Sequence, residues 1–448
     1  MATTSSRGTW NSKLGFIMAA AGGAVGLGNI WRFPTETAEN GGAAFLFVYV
    51  ICCFLIGLPV MVAELSLGRA TQRNAVGAFN ALSKNPIYQA VGFWGVICGS
   101  MILSFYVVIA GWSFSNVFVE IFDYVGMTGP ATTLVDTSNG VVNILFAALF
   151  MVATIFIVRG GVSEGIERAT KTMMPLLLVM LLVLIGLTLP MEGAADGVKA
   201  YLQPDFSQID RELILYALGQ SFFSLSLGLG ALITYGSYLS KSDNVVQSAA
   251  IVTLSDVSIA FIAGLLIIPA IYVAQAQGIQ VFDDAGSLIA GPALIFNILP
   301  VVFDNIGGIF GLGLAVTFFL LLSVAALTST ISLLEVSVSY VIDEFNVARN
   351  TATWLMGGVI GTIAIWVSFD LGMIDILDTV FSAYGLPIGG LLISLFVGWV
   401  WKTPAAMEEL KHGFPSFENS FFQKVWPLFI RFICPILIFL ILLDLVTG

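Results

Sequence analysis

Polar residues along this chain fall in short islands. Between them run apolar stretches of about 20 residues, the length a helix needs to cross a bilayer. Eleven such stretches are predicted, near 13–36, 44–70, 88–122, 140–158, 162–189, 211–239, 244–275, 307–342, 350–369, 374–401 and 424–446. Two of them are interrupted. In the first, Gly22 to Pro34 read Gly-Gly-Ala-Val-Gly-Leu-Gly-Asn-Ile-Trp-Arg-Phe-Pro. Gly23, Gly26 and Gly28 each lower helix propensity by roughly 1 kcal/mol, and the polar amide of Asn29 follows directly. In the sixth, Gln220 to Gly230 set glycines behind small hydroxyl residues in the middle of an apolar span. Irregular backbone at membrane depth persists only where it is buried in protein or lines a site. Matching interruptions in two halves of a membrane chain point to a transport site between them.

The halves are five helices each, over about 13–189 and about 211–401, with an eleventh helix over about 424–446. Helix 1 starts on one side and helix 6 on the other, so the halves are inverted. The expected fold is an all-α polytopic membrane protein, one transmembrane domain over 1–448, with 11 transmembrane helices in a 5+5 inverted repeat and helices 1 and 6 broken at mid-membrane. Composition agrees: 58% of residues are hydrophobic and 10% charged, where a soluble domain carries about 25% charge. Of the 17 Lys and Arg residues, Lys199 and Arg211 fall on one side, Arg32 lies within the membrane and Arg431 near its edge. The rest share the side of the N-terminus, which is therefore expected to be cytoplasmic, with the C-terminus outside the cell's inner (plasma) membrane. The polar start, Met1 to Asn11, has no signal-peptide pattern. Net charge −11 comes largely from the outer loops and argues against nucleic acid as a partner.

Several chemistries are excluded. The four cysteines (Cys52, Cys53, Cys98 and Cys434) lie in apolar helices without zinc or redox spacing and read as buried small hydrophobes. The single histidine, His412, falls in a loop, so neither a triad nor a histidine metal site exists within the membrane and no enzyme activity is expected. The run Gly23-Ala-Val-Gly-Leu-Gly28 imitates a dinucleotide fingerprint but lacks the preceding strand. A channel needs a continuous pore, whereas two facing breaks suggest an occluded site. Within transport, the alternative is a proton-coupled carrier using Asp256 or Glu335. Glu64 and Glu335 are further intramembrane acids, structural or proton-linked.

Trp10, Gly26-Leu-Gly-Asn-Ile-Trp-Arg-Phe-Pro34, Glu39-Asn-Gly-Gly-Ala-Ala-Phe45, Arg159-Gly, Gly165-Ile-Glu-Arg168, Phe222-Phe-Ser-Leu-Ser-Leu-Gly228 and Ala325-Ala-Leu-Thr-Ser329 together resemble the neurotransmitter:sodium symporter family, in its bacterial amino-acid transporter branch. The resemblance covers residues 7 to about 446 and implies sodium-coupled import by alternating access of a neutral, hydrophobic or aromatic amino acid. It implies two Na+ sites. The first takes the carbonyl of Ala24, the side chains of Asn29, Ser224 and Asp256, and the substrate carboxylate. The second takes carbonyls of Gly22, Val25 and Ala325 with the hydroxyls of Thr328 and Ser329. Taken alone, Thr328 and Ser329 read as helix back-bonding residues; the broken helix opposite favours the ion. A one-residue shift puts Ser255 in place of Asp256. Animal members hold chloride partly by a serine one turn later, where this chain has Ala260. Asp256 therefore supplies the negative charge, and no chloride is expected.

The substrate pocket implied by the resemblance is Gly23, Ala24, Ile102, Tyr106, Phe223, Leu229, Ser329 and Leu333, without charge. Amides of Leu27 and Gly28 and the Tyr106 hydroxyl would hold a carboxylate, although Tyr106 alone also reads as a core aromatic. Carbonyls of Phe223 and Ser226, next to Ser224, would accept an ammonium. Gly26 stands where monoamine carriers of the family have an aspartate, which favours an amino acid. Gly23 and Leu229 replace bulkier groups of a leucine-carrying member, leaving room for a larger side chain. Arg32 with Asp378 would gate the outer side under a Phe223 lid. Arg7 with Asp343 would gate the inner side beside Trp10 and Tyr238, although Arg7 and Asp343 also read as solvated loop charges. Gly165 and Pro175 mark a hinge in helix 5, since an interior proline removes a helical hydrogen bond. Eleven helices where the family more often has twelve leave a monomer or weak dimer in the bilayer.

Overall fold

The computed structural model describes residues 8–281 and 306–447, with Phe296, Leu299, Pro300, Val302 and Phe303 between them. Every regular element among these is helical. The long helices are α1, bent between Lys13–Ala24 (α1a) and Gly28–Glu39 (α1b), then α2 (Ala43–Thr71), α3 (Ile87–Tyr124), α4 (Gly140–Val158) and α5 (Val162–Thr188). They continue with α6, split into Arg211–Ser224 (α6a) and Ala231–Gly236 (α6b). The remainder are α7 (Val245–Ala276), α8 (Gly308–Phe345), α9 (Arg349–Phe369), α10 (Gly372–Val400) and α11 (Phe421–Thr447). Observed ends agree with the predicted stretches to within a turn. By length and composition 9 described helices can span a membrane, or 10 counting the bent α1 pair. The expected eleventh span, α6, does not reach that test because its halves are short and separated by six residues, 225–230. The apolar run Gly291-Pro-Ala-Leu-Ile-Phe-Asn-Ile-Leu-Pro300 predicts a short helix within 282–306, a segment that lies largely outside the described residues.

Local signals explain where the elements begin. Ser12 caps α1a by accepting from the Gly15 amide at 3.0 Å, Asp210 caps α6a through the Leu213 amide at 2.8 Å, and Asn244 caps α7 through the Gln247 amide at 2.9 Å. Pro34 follows directly on the wide π-type turn Gly28–Arg32 of α1b and can donate no hydrogen bond back into it. On α4, Leu145, Leu149, Val152 and Phe156 form an exposed apolar stripe, and on α5 Leu176, Val179, Val183 and Leu187 do the same. In water such stripes would be a fault; in a bilayer they are the lipid face.

The interior is α1 and α6 wrapped by the others. α1a packs on α5, α7 and α8, while α3 and α8, each 38 residues long, run against one another. Both halves of α6 pack on α2. Trp10, just ahead of α1a, donates to the Tyr235 carbonyl in α6b at 3.1 Å, while Gln220 in α6a donates to the Gly28 carbonyl in α1b at 3.1 Å. The first half of each broken helix therefore lies by the second half of the other, the antiparallel arrangement that an inverted repeat requires. Glycines set the spacing: a Cβ on Gly68 would collide with the Ile233 carbonyl, and one on Gly236 would lie 2.6 Å from the Leu65 carbonyl.

Gly68→Ala should therefore lower stability by about 1–3 kcal/mol through forced separation of α2 from α6b. Gly186→Ala on α5, where a Cβ meets nothing within 4 Å, should be neutral or slightly stabilising. Thermal unfolding of the two variants in detergent checks the contrast.

Candidate functional site

The α1 break begins where the helical ladder stops. The Val25 amide still donates to the Ala21 carbonyl at 2.6 Å, but Val25 is extended, with φ −71° and ψ 108°. The next amides turn elsewhere: Gly26 donates to Asn29 Oδ1 at 3.1 Å and Leu27 to the Tyr106 hydroxyl at 3.0 Å. Carbonyls of Gly22, Gly23, Ala24 and Val25 thus lose their helical partners. Side chains take two of them, Ser226 donating to Gly23 O at 3.3 Å and Thr328 to Val25 O at 3.2 Å.

The α6 break is built on left-handed backbone: Ser226, Gly228 and Gly230 have φ of 53°, 84° and 73°. A Cβ on Gly228 would run into the Leu386 carbonyl of α10, so that position needs glycine on both counts. The Gly228 amide donates to Glu64 Oε1 at 2.8 Å. Glu64 is fully buried on α2, and among the described residues its Oε2 has no partner. Of the two intramembrane acids left open by sequence, this one caps the broken helix. The other, Glu335, accepts from Arg349 at 2.7 and 2.8 Å and from the Tyr238 hydroxyl at 2.6 Å, so its charge is held within an ion pair.

Where the breaks meet, four polar side chains converge in the interior. Asn29 Nδ2 donates to Asp256 Oδ1 at 2.7 Å and to Ser224 Oγ at 3.1 Å. Ser224 donates to Asp256 Oδ2 at 2.8 Å, and the Tyr49 hydroxyl lies 2.9 Å from Ser224 Oγ and 3.3 Å from Asp256 Oδ2. Asn29, Ser224 and Asp256 are completely buried. Ser255, the alternative register, instead donates to the Ile251 carbonyl within its own helix at 2.8 Å. Tyr49 is an addition to the expected set: one tyrosine in an apolar stretch carries no spacing signal.

A second polar meeting point lies between α1a and α8. Thr328 Oγ1 is 2.8 Å from the Ala325 carbonyl and 3.2 Å from that of Val25, so one hydroxyl makes both the helix back-bond and the link across the gap. A Cβ on Gly22 would sit 3.4 Å from Thr328 Cβ, and one on Gly26 would overlap Ser329 Oγ. Small residues here let two backbones and two hydroxyls crowd together. Among the described residues no group of three His, Cys, Asp or Glu side chains gathers as a transition-metal site would need. Neutral carbonyls and hydroxyls beside one carboxylate suit a hard monovalent cation.

Between the breaks is a small cavity of about 40 Å³, lined by Gly23, Ala24, Gly26, Gly28, Ile102, Tyr106, Phe223, Ser226, Leu229, Ser329, Leu333 and Leu386. No charged side chain lines it. Leu386 comes from α10 without any sequence signal; of the expected binding residues, Ser224 does not line this cavity and Leu27 lines the adjoining vestibule. The Phe223 carbonyl accepts from the Ser226 amide at 3.1 Å and retains its second lone pair. Phe223, Gly28 and Tyr106 also line a vestibule of about 570 Å³ on the α1b side. Arg32 and Asp378 both face that vestibule, but the expected pair between them is not made. The Arg32 guanidinium lies 4.4 Å above the Phe223 ring and pairs with Glu36 one turn on at 3.6 Å, while the vestibule separates it from α10.

The opposite end is packed shut. Trp10 meets Phe16, Tyr235 and Tyr238 edge-on at 5.8, 5.3 and 6.1 Å. Asp343 accepts from the Asn74 amide and side chain, both at 2.9 Å; Arg7, its expected partner, lies outside the described residues. A further clamp, absent from the sequence reading, joins the start of α1a to α5: buried Glu167 accepts from the Asn11 amide at 2.7 Å, Ser12 at 3.0 Å and Lys171 at 2.5 Å. Its position within Gly165-Ile-Glu-Arg168 is the available signal. Gly165 lies in a wide π-type turn at 162–167, packed on Gly160, and Pro175 is inside the regular helix that follows.

Comparison with known proteins agrees with this geometry. The model of the sodium:neurotransmitter symporter family matches residues 7–126 and 133–447. An uncharacterized sodium-dependent transporter of Bacillus subtilis, YhdH, is 35% identical over 98% of this chain and 97% of its own length. One from Haemophilus influenzae is 32% identical over 98% of each. Among solved structures, the crystal structure of MhsT in complex with L-phenylalanine is 40% identical and superposes with a TM-score of 0.85 over 98% of this chain and all of that one.

Tyr106→Phe should leave the Leu27 amide buried without an acceptor, at a cost of about 1–3 kcal/mol. Thermal unfolding without added amino acid should show the loss; an unchanged midpoint would mean that the amide finds another partner.

Proposed function

The chain belongs to the sodium:neurotransmitter symporter family, and on that premise we propose that it carries a neutral, apolar or aromatic amino acid inward with two sodium ions and without chloride. It is a sodium-dependent multi-pass membrane symporter. The observation that carries the finer reading is the buried set Asn29, Ser224 and Asp256 lying where both helices break. A full carboxylate buried there asks for a cation. Asn29, Ser224, Asp256 and the Ala24 carbonyl form the first ion site, completed by the substrate carboxylate. Gly22, Val25 and Ala325 carbonyls with Thr328 and Ser329 form the second. As an ion enters the first site, the Asn29 amide turns its oxygen inward and gives up its bond to the carboxylate.

The Leu27 and Gly28 amides, at the start of α1b, favour an anion, with Tyr106 beside them. The uncharged lining suits an apolar side chain, and the amino acid in the MhsT complex is phenylalanine. Asp256 supplies the negative charge that other members take from chloride. The wide outer vestibule and packed inner side match an outward-facing state. Closure brings Arg32 across to Asp378 above Phe223, and inward release opens α5 at Gly165 and Pro175. Orientation follows from the Lys and Arg bias, with the N-terminus inside. Two sodium ions gain about 2.3 kcal/mol each per 100 mV and about 1.4 kcal/mol each per tenfold gradient. The sum, roughly 7 kcal/mol, sustains about a 10⁵-fold substrate gradient. The proton-coupled alternative loses one carrier group, since Glu335 is held by Arg349.

Uptake of labelled neutral amino acids into proteoliposomes tests the reading. Replacing sodium by choline should abolish uptake, and replacing chloride by gluconate should leave it unchanged. Asp256→Asn should raise the sodium needed at least about tenfold, the equivalent of about 1.4 kcal/mol, while Ser255→Ala should stay near wild type. Uptake driven by a pH gradient without sodium would defeat the reading.

A further inference from the structure

Arg431 lies inside an apolar helix and has no ion pair among the described residues. It sits in α11 within a wide π-type turn, Phe429–Ile433. α10 approaches closely there, since a Cβ on Gly398 would lie 3.2 Å from Arg431 Cα. Trp399 of α10 donates its indole N–H to the Arg431 carbonyl at 3.1 Å, and the guanidinium lies 5.0 Å from the centre of that ring. Arg431 Nε is buried without an acceptor, and no carboxylate or carbonyl among the described residues pairs with the group.

The surroundings are cationic and face lipid. Lys424 lies two turns before Arg431 on the same side of α11, with Leu428 between them, and Lys424 and Leu428 are exposed. Lys402 is exposed at the adjoining end of α10, and neither lysine has an ion pair among the described residues. The neighbouring acids are taken: Glu408 and Glu418 pair with Lys411, and Glu409 with Arg69 and Lys241. Trp399, Phe421 and Phe432 are large, exposed aromatics on the flanks. An arginine at membrane depth costs several kcal/mol unless its head reaches the interface. Helical side chains lean toward the helix N-terminus, which here is the Lys424 end, where Lys402 also lies. Basic clefts between membrane helices, edged by interfacial tryptophan, suit anionic head groups.

We propose that the lipid-facing surface at the α10–α11 contact binds the phosphate of an anionic phospholipid, with Arg431 as the central donor, Lys424 and Lys402 beside it, and Trp399 fixing the depth. The lipid is in the leaflet on the α1a side. The site braces α10, whose Leu386 reaches the substrate cavity. The proposal requires only that the chain spans a bilayer, so it stands or falls apart from the cargo.

Native mass spectrometry of the detergent-purified protein, mixed with equal phosphatidylglycerol and phosphatidylcholine, tests it. Wild type should retain phosphatidylglycerol preferentially. Arg431→Gln and Lys424→Gln should each weaken that retention about fivefold, while Lys84→Gln, a control on the same side of the membrane, should not. Soluble glycerol phosphate should fail to compete. If Arg431→Gln does not fold, Lys424→Gln carries the test. Equal retention of the two lipids, an equal loss in the Lys84 variant, or displacement by glycerol phosphate would each overturn the proposal.

Discussion

A helix in a bilayer that gives up its own backbone hydrogen bonds has no water to turn to. This chain does so twice, at 25–27 and 225–230, and the rest of the architecture answers that need. Tyr106 from α3, Thr328 from α8 and Glu64 from α2 each reach a backbone group that a break has freed. Remove these and the breaks would be buried faults costing several kcal/mol per group. With them, the breaks become a set of fixed dipoles. Unwinding and its repair are one structural device, and the glycines that permit close approach of α2, α8 and α10 belong to it.

The same device explains why an ion and an amino acid would share one place. Freed carbonyls gather on the Ala24 side of the α1 break and redirected amides on the Leu27 side, so on the proposed reading a cation and a carboxylate are attracted to adjoining spots. Asp256 tips the balance toward the cation. On the proposed reading, a carboxylate buried among neutral donors leaves the site electrically incomplete until positive charge enters. A substrate carboxylate, arriving next, then meets a neutralised pocket instead of a negative one. On the proposed reading, order of binding and coupling both follow from that charge count.

Much of this is legible in the sequence because the features are local. Helix lengths are set by bilayer thickness, and the breaks announce themselves through glycine and polar residues in apolar runs. The register at Asp256 against Ser255 is not legible, since both sit mid-helix; only packing shows Ser255 bonded to its own helix while Asp256 meets Asn29 and Ser224. Tyr49, Leu386 and the Glu167 clamp escape a sequence reading for a similar reason: their significance lies in which distant segment they touch. Arg32 shows the reverse limit. Its place beside the α1 break is readable, but which acid it pairs with depends on how far α10 stands across the vestibule, and in this conformation the nearer Glu36 wins.

The most direct measurement is equilibrium binding of labelled phenylalanine to the purified protein across a sodium titration, with the reciprocal sodium titration across phenylalanine. If one ion and the substrate carboxylate touch, each must raise the affinity of the other by the same factor, and potassium must not substitute. Phenylalanine affinity independent of sodium would contradict the account at its centre.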